Sequence, residues 1–271
     1  MSSTGNIYPL QYHFGAASMN DTEYCHLWVD GAAQFIPSLN KLLDMTTEAM
    51  PIYDVSKFEN DQQYVLGDMF MNHGSDKSTT HSYNTLYSYI LNKLGRENPL
   101  NILEIGLGTN NPSIVSSMGA EGRPGASLYA FREYLPNAMI YGADVDKDIL
   151  FSDQRIKTGF VDQMKPETFQ SLLESFGNIP KFDFIVDDGL HSTAANLNTM
   201  IFAIDNLKIG GWFVVEDIGD RMCDNWRSID SIMKKIPGLE TFMVKTTGGY
   251  HYQNTSFVYV VHKKDYGLVT D

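Results

Sequence analysis

Two acidic clusters, each following an apolar run, carry the chemistry in this sequence. One is Val186-Asp187-Asp188-Gly189-Leu190-His191 and the other is Val215-Glu216-Asp217. If the two runs are adjacent strands of one sheet, Asp188, His191, Glu216 and Asp217 meet in a small volume. Three hard carboxylates beside a cleft suit an oxygen-preferring divalent cation such as Mg2+. Without a cation, acids so clustered would repel and raise one another's pKa. His191 lies one loop turn from Asp188, where an imidazole can act as a general base. The competing reading makes Asp187 and Asp188 turn caps and His191 an incidental surface residue. It explains any one of these residues better than it explains the set.

A second group follows three earlier apolar runs. The first run ends in Glu104-Ile105-Gly106-Leu107-Gly108-Thr109, whose glycines would let the backbone approach a ligand and leave N–H groups open to it. The dinucleotide fingerprint needs a third glycine three residues after Gly108, and Asn111 stands there. The second run ends in Asp144-Val145-Asp146, where Asp144, with Asp146 in reserve, could accept from both hydroxyls of a ribose. A helix N-cap is the plainer role for either. After the third run, Asp162 and Gln163 could read the edge of an adenine, or could simply form a turn.

These residues need a scaffold that brings strand ends together. Strands are expected at Ile102–Ile105, Met139–Ala143, Ile156–Val161, Phe182–Val186 and Trp212–Val215. Helical spacing separates them: Leu128, Phe131 and Leu135; Phe169, Leu172, Leu173 and Phe176; and Leu197, Ile201, Ile204 and Leu207. Alternating strands and helices with near-continuous apolar strands imply a doubly wound parallel sheet. Thr241–Lys245 and Ser256–His262, around Gly248-Gly249, read as an antiparallel hairpin closing the sheet edge. The predicted fold is therefore α/β, a mostly parallel sheet of seven strands with a C-terminal hairpin.

Upstream, Leu39, Leu42 and Leu43 suggest a short helix, and Tyr83, Leu86, Tyr87, Ile90, Leu91 and Leu94 a longer one ended by Gly95 and Pro99. Residues 1–75 are read as a helical appendage making substrate and subunit contacts, and 76–271 as the catalytic domain. The polar stretch Gly74-Ser75-Asp76-Lys77, with His81 and Tyr83 close behind, precedes the sheet. The loop from Thr109 to Gly125 is long enough to serve as a lid or to be a static excursion.

Composition narrows the function. The 271 residues are 43% apolar and 20% charged, which is ordinary for a globular protein. Twenty Lys and Arg stand against 33 Asp and Glu, for a net charge of −13. That disfavours sequence-independent nucleic-acid binding and adhesion to anionic membranes. No signal peptide is recognised at the N-terminus, and no apolar run approaches the roughly 18 residues of a spanning helix. Cys25 and Cys223 make no disulfide framework, so a reducing cytoplasm is the expected setting.

Together, the glycine motif, Gly142-Ala143-Asp144, Val161-Asp162-Gln163, Asp187-Asp188-Gly189-Leu190-His191 and Gly210-Gly211-Trp212-Phe213-Val214-Val215-Glu216-Asp217 resemble a class I S-adenosylmethionine-dependent methyltransferase. More narrowly, the chain is similar to the metal-dependent sugar O-methyltransferases of the macrocin and mycinamicin type, and to cephalosporin-hydroxylase-type proteins. The stretch Gly74–Tyr83 resembles that group's pre-sheet motif, and the likeness spans roughly residues 70–262. The resemblance implies S-adenosylmethionine and Mg2+ as cofactors. It implies Asp188, Glu216 and Asp217 as metal ligands and His191 as the base. Glu104, Gly106, Gly108, Asp144, Asp162, Gln163, Asp187 and Tyr83 would face the methyl donor. A homo-oligomer acting on a small hydroxylated sugar or polyketide is expected. Residues 1–70 are shorter than the N-terminal domain of the mycinamicin-type enzymes, which bears on the acceptor.

Three alternatives stand beside an O-methyltransferase. A nicotinamide oxidoreductase could use the same sheet, but Asn111 and the metal-like acids count against it. A non-catalytic S-adenosylmethionine-binding module would keep the ligand but not the base. A hydroxylase would need redox-active iron, and this site offers mostly carboxylates and one histidine, which is read as the base.

Overall fold

Strand β2 (Asn101–Ile105), every residue of it buried, is the axis of the molecule. A computed structural model describes residues 49–177, 181–219, 222–247 and 255–265, with Ser38 and Lys41. The expected helix at Leu39–Leu43, Cys25 and the Gly248-Gly249 turn lie outside the described residues. Strand β1 is Ile52–Asp54; it is followed by helices α1 (Gln62–His73) and α2 (Tyr83–Leu94). After β2 come α3 (Ala126–Tyr134), β3 (Met139–Asp144), β4 (Ser152–Asp153), β5 (Ile156–Phe160) and α4 (Glu167–Phe176). Then follow β6 (Phe182–Asp187), α5 (Thr193–Asn206), β7 (Leu207–Gly219), α6 (Cys223–Met233), β8 (Leu239–Thr247) and β9 (Thr255–Lys263).

The strands form one mixed sheet in the order β1-β8-β9-β7-β6-β2-β3-β5-β4. Among the described residues it has nine strands rather than the seven expected. The two extra strands, β1 and β4, are edge strands of three and two residues, too short for an apolar alternation to register. The hairpin pair does not close an edge either: β9 lies between β7 and β8, and β1 pairs in parallel with the outer side of β8.

Both faces of the sheet are covered, as parallel strands with crossover helices require. On one face Leu66 and Phe70 of α1, Leu86 and Tyr87 of α2, and Phe131 of α3 pack on Ile102, Phe184, Val186 and Val214. On the other, Phe169 and Leu172 of α4, Met200 and Ala203 of α5, and Trp226 and Ile229 of α6 pack on Leu103, Ile105, Ile185 and Phe213. Residues 52–73 thus contribute a strand and a helix to this same layered body.

Helix α5 departs from its expected face. Ile201 is exposed, and Leu207 is the first residue of β7 instead of the helix's last contact. The buried stripe is Asn196, Thr199, Met200 and Ala203, which carries two polar side chains because it faces a buried carboxylate described below.

Candidate active site

Register explains how the site assembles. Ile105 of β2 lies opposite Asp187 of β6, which lies opposite Val215 of β7. The residues one step further on, Gly106, Asp188 and Glu216, are therefore neighbours at the carboxyl ends of three parallel strands. Side chains alternate along a strand, so Glu104, Asp188 and Glu216 share the face covered by α1–α3, and Asp187 takes the other. Asp217 should follow Asp187, but β7 has an irregularity in its pairing with β9 between Val215 and Ile218. Asp217 there adopts φ +56°, a left-handed conformation uncommon outside glycine. The bulge re-aims its carboxylate toward Asp188 and His191, a use to which bulges beside active sites are put. His191 is itself left-handed, at φ +54°.

One ligand atom from each of Asp188, His191 and Asp217 can be chosen so that all three lie within 4.8 Å of one another. His191 Nε2 stands 3.8 Å from Asp188 Oδ1 and 3.6 Å from Asp217 Oδ2. The other oxygen of Asp217 accepts from the Tyr83 hydroxyl at 2.6 Å. His81 stacks on Tyr83, with ring centroids 4.6 Å apart, and brings its Nε2 to 3.7 Å from the same oxygen. Burial pushes the Asp217 carboxyl up, but His191, His81 and the Tyr83 hydroxyl outweigh it and hold the pKa below the ordinary aspartate value.

Glu216 lines the same chamber as these three but is not one of the trio. It is buried, and its two oxygens accept from the Lys77 ammonium at 2.8 and 2.7 Å. The Tyr87 hydroxyl donates to it as well. Lys77 also donates to Asp188 Oδ2 at 2.7 Å and lies 3.2 Å from Glu104 Oε1. Burial alone would lower the Lys77 pKa, yet Asp188, Glu216 and Glu104 together raise it well above that of an ordinary lysine. The polar stretch Gly74–Lys77 stands out in the sequence, but nothing there assigns Lys77 a role. Its signal was a lysine placed just before a buried helix, where a solvated side chain would be the default. Tyr87, at helical spacing with Tyr83 and Ile90, reads from the sequence as core alone.

Most of the remaining expected residues line one or both of two adjoining cavities. The smaller, of about 260 Å3, is lined by Gly106, Gly108, Asp144, Asp162 and Gln163, with Ile114–Ser116 of the long loop on its wall. Asp144 accepts from the N–H groups of Leu107 at 2.7 Å and Asp146 at 2.8 Å, which fixes it at the cavity's edge. Burial raises its pKa. The larger chamber, of about 800 Å3, holds Lys77, His81, His191, Glu216 and Asp217. Gly106, Gly108, Ser116 and Asp188 line both, so Asp188 stands where the two meet.

Glu104, Asp187 and Tyr83 do not line the smaller cavity. Glu104 is buried against Ser127 and Lys77. Tyr83 belongs to the acid cluster. Asp187 faces α5 and accepts from Gln163 Nε2 at 2.7 Å and Asn196 Nδ2 at 3.0 Å. Gln163 spends its amide on Asp187, on Thr199 Oγ1 at 2.7 Å and on the Leu190 N–H at 2.8 Å. Replacing Asp187 by alanine strands two buried donors at about 1–3 kcal/mol each. We expect Asp187→Ala to lower the unfolding free energy by about 2–6 kcal/mol in a urea titration; a change below about 0.5 kcal/mol would show that water replaces the carboxylate there.

The layered mixed sheet, with its cleft beyond the carboxyl ends of the parallel strands, is the class I methyltransferase fold. It superposes on the MycE methyltransferase from the mycinamycin biosynthetic pathway, solved with Mg and SAH, at a TM-score of 0.54 and 22% identity, covering 79% of this chain and 58% of that one. The sequence is similar to natural-product sugar O-methyltransferases. It is 28% identical over 153 residues to the 8-demethyl-8-alpha-L-rhamnosyl tetracenomycin-C 2'-O-methyltransferase of Streptomyces olivaceus, covering 56% of this chain and 37% of that protein. It is 26% identical over 190 residues to the L-olivosyl-oleandolide 3-O-methyltransferase of Streptomyces antibioticus, covering 70% and 43%. The chain thus spans about two fifths of the length of these relatives. No protein-family model matches it. Among the described residues no helix is long and apolar enough to cross a membrane.

Proposed function

We propose that this chain is an O-methyltransferase that uses S-adenosylmethionine and a divalent cation, Mg2+ by preference, to methylate a hydroxyl of a sugar or polyketide-type small molecule. The observation that carries the reading is the junction at Asp188. A glycine-walled cavity at the ends of β2, β3 and β5 adjoins there a chamber lined by Asp188, His191 and Asp217.

The residues fit both groups. At Gly106 a Cβ would overlap the Asp188 carbonyl, so glycine lets the end of β2 pack directly on the loop after β6 where the two cavities adjoin. Gly106, Gly108, Asp144, Asp162 and Gln163 would hold the methyl donor. Two carboxylates of the chamber, Asp188 and Asp217, fit an ion that binds through one or two carboxylates and keeps waters, which leaves the His191 imidazole for the proton. When bound, a divalent cation lowers the pKa of a coordinated hydroxyl and fixes its oxygen, and the methyl donor brings an activated methyl group. Asp188 and Asp217 orient that end of the acceptor, and Tyr83 and His81 keep Asp217 turned toward it. His191, partly exposed at the chamber floor, takes the hydroxyl proton on its imidazole. Holding the two partners at adjoining cavities converts a bimolecular encounter into an oriented one.

Calorimetric titration with S-adenosylmethionine and S-adenosylhomocysteine, with Mg2+ and with chelator, tests the reading. Micromolar binding of these ligands, with NAD failing to bind, is the expected result. Binding of NAD in their place would favour the oxidoreductase. His191→Ala is expected to slow turnover by about 10²–10⁴-fold. The loss should be largest toward lower pH, because hydroxide stands in for the missing base as pH rises. A parallel pH–rate profile at the wild-type rate would remove His191 from this role.

A further inference from the structure

Among the described residues, no hydrogen bond grips the His191 imidazole. Its Nδ1 is buried without a partner, and its Nε2 stands 3.6 Å from Asp217 and 3.8 Å from Asp188, beyond hydrogen-bond reach. The ring therefore stands where its backbone puts it. That backbone is left-handed, at φ +54°, a state that a residue other than glycine keeps only where its surroundings over-determine it. Two anchors flank it. Downstream, Ser192 caps α5 by accepting from the Ala195 N–H at 3.3 Å. Upstream, the Leu190 N–H donates to Gln163 Oε1 at 2.8 Å. The Leu190 carbonyl takes a longer, exposed contact from the Ser116 hydroxyl, at 3.4 Å.

Gln163 follows β5 and is itself buried and tied down. One hydrogen of its amide goes to Asp187 Oδ1 and the other to Thr199 Oγ1, each at 2.7 Å. These partners settle which way the amide points. Flipped, its oxygen would face the Asp187 carboxylate and its nitrogen the Leu190 N–H. Gly189 completes the fit, because a Cβ there would overlap Gln163 Oε1.

We propose that Gln163 is a positioning residue for His191: through the Leu190 N–H it holds the left-handed backbone that aims the imidazole into the chamber. This rests on the reading of His191 as the base. Gln163 lines the smaller cavity as well, but both hydrogens of its amide are spent within the protein. Without its oxygen, Leu190 and His191 are free to relax toward ordinary φ. A ring with no hydrogen bond of its own then leaves with its backbone.

The test reads the placement of His191 without methyl donor, cation or acceptor. The full chain is treated with diethylpyrocarbonate, and carbethoxylation of each histidine is followed by peptide mass spectrometry. Gln163→Met keeps the length of the side chain and removes its hydrogen bonds. The His191 side chain is 30% exposed, so its release from the chamber should speed its modification roughly threefold. His81, buried in the same chamber but carried by the loop between α1 and α2, should keep its wild-type rate. Gln163→Glu with Asp187→Asn is the rescue. It exchanges donor and acceptor across one hydrogen bond, conserves charge and keeps an oxygen for the Leu190 N–H, so His191 should return to its wild-type rate. A His191 rate unchanged in Gln163→Met would overturn the assignment. So would an equal rise at His81, which would mean that the whole chamber loosens, or a folded double variant that restores nothing. Should the double variant fail to fold, Gln163→Met decides alone, with His81 as its internal standard. Failure of the base reading shows separately, as unchanged turnover in His191→Ala, and the measured placement of the ring does not depend on it.

Discussion

Asp188→Ala is expected to lower methyl transfer by about 10³-fold or more while leaving S-adenosylhomocysteine affinity within a few-fold of wild type. The magnitude follows from the several kcal/mol that a bound cation contributes, at about 1.4 kcal/mol per tenfold in rate. The separation of the two effects follows from how Asp188 is built into the fold. Toward the smaller cavity it presents backbone, since its N–H donates to the Ile105 carbonyl at 2.8 Å and its own carbonyl packs against Gly106. Alanine keeps both. Toward the chamber it presents the carboxylate, which alanine removes. Lys77 then still has Glu216 and Glu104, so the floor keeps its ion pairing. Steady-state rates with and without chelator, alongside a binding titration, separate the possibilities. Full activity in the variant, or wild-type activity untouched by chelator, would eliminate the cation from the mechanism. A parallel loss of S-adenosylhomocysteine binding would mean that the two cavities are one site.

The legible part of the site was its position along the strands. Buried parallel strands are mostly apolar, so their ends are marked by a change to polar residues, and Asp144, Asp162, the pair Asp187-Asp188 and Glu216 all stand there. What could not be read was which way each side chain turns. Period-two alternation separates Asp187 from Asp188 in principle, but it takes the α5 stripe of Asn196 and Thr199 to show that Asp187 is satisfied on the far face. The bulge that brings Asp217 back to the side of Asp188 leaves no mark in a run that reads simply as Val214-Val215-Glu216-Asp217-Ile218. Lys77 is separated from its partners by 111 and 139 residues, and no local pattern distinguishes a lysine in a buried ion pair from one in solvent. The fold shows the same division. The long apolar strands and the helices at Tyr83, Leu128 and Phe169 stand out by periodicity. The short edge strands β1 and β4 exist only because neighbours offer them hydrogen bonds. Helix α6, likewise, buries Asn225, Ser228 and Asp230 along with Trp226 and Ile229, which blurs its apolar face.

Gly106→Ala should have the largest effect on the molecule as a whole, because three demands meet at that residue. Its φ of +94° is one that side chains rarely adopt, and holding alanine there costs of order 1–3 kcal/mol. A Cβ would overlap the Asp188 carbonyl and come within 2.7 Å of the Gly189 Cα, both backbone atoms that cannot turn aside as a side-chain tip can. Overpacking of this kind adds about 1–3 kcal/mol. Relief would have to come from separating the end of β2 from the loop after β6, whose pairing is what sets Asp188 at the junction of the two cavities. We therefore expect Gly106→Ala to lose about 2–6 kcal/mol of unfolding free energy, against a total of roughly 5–15 kcal/mol for a folded protein. Where it folds, it should bind S-adenosylhomocysteine at least about tenfold more weakly and methylate more slowly still, since the strand end and Asp188 shift together. Urea unfolding and ligand titration on the same preparation test this. Stability within about 1 kcal/mol of wild type, with unchanged binding, would show that the loop after β6 yields freely. In that case the close packing of Gly106 on Asp188 would not be what holds the two cavities in register.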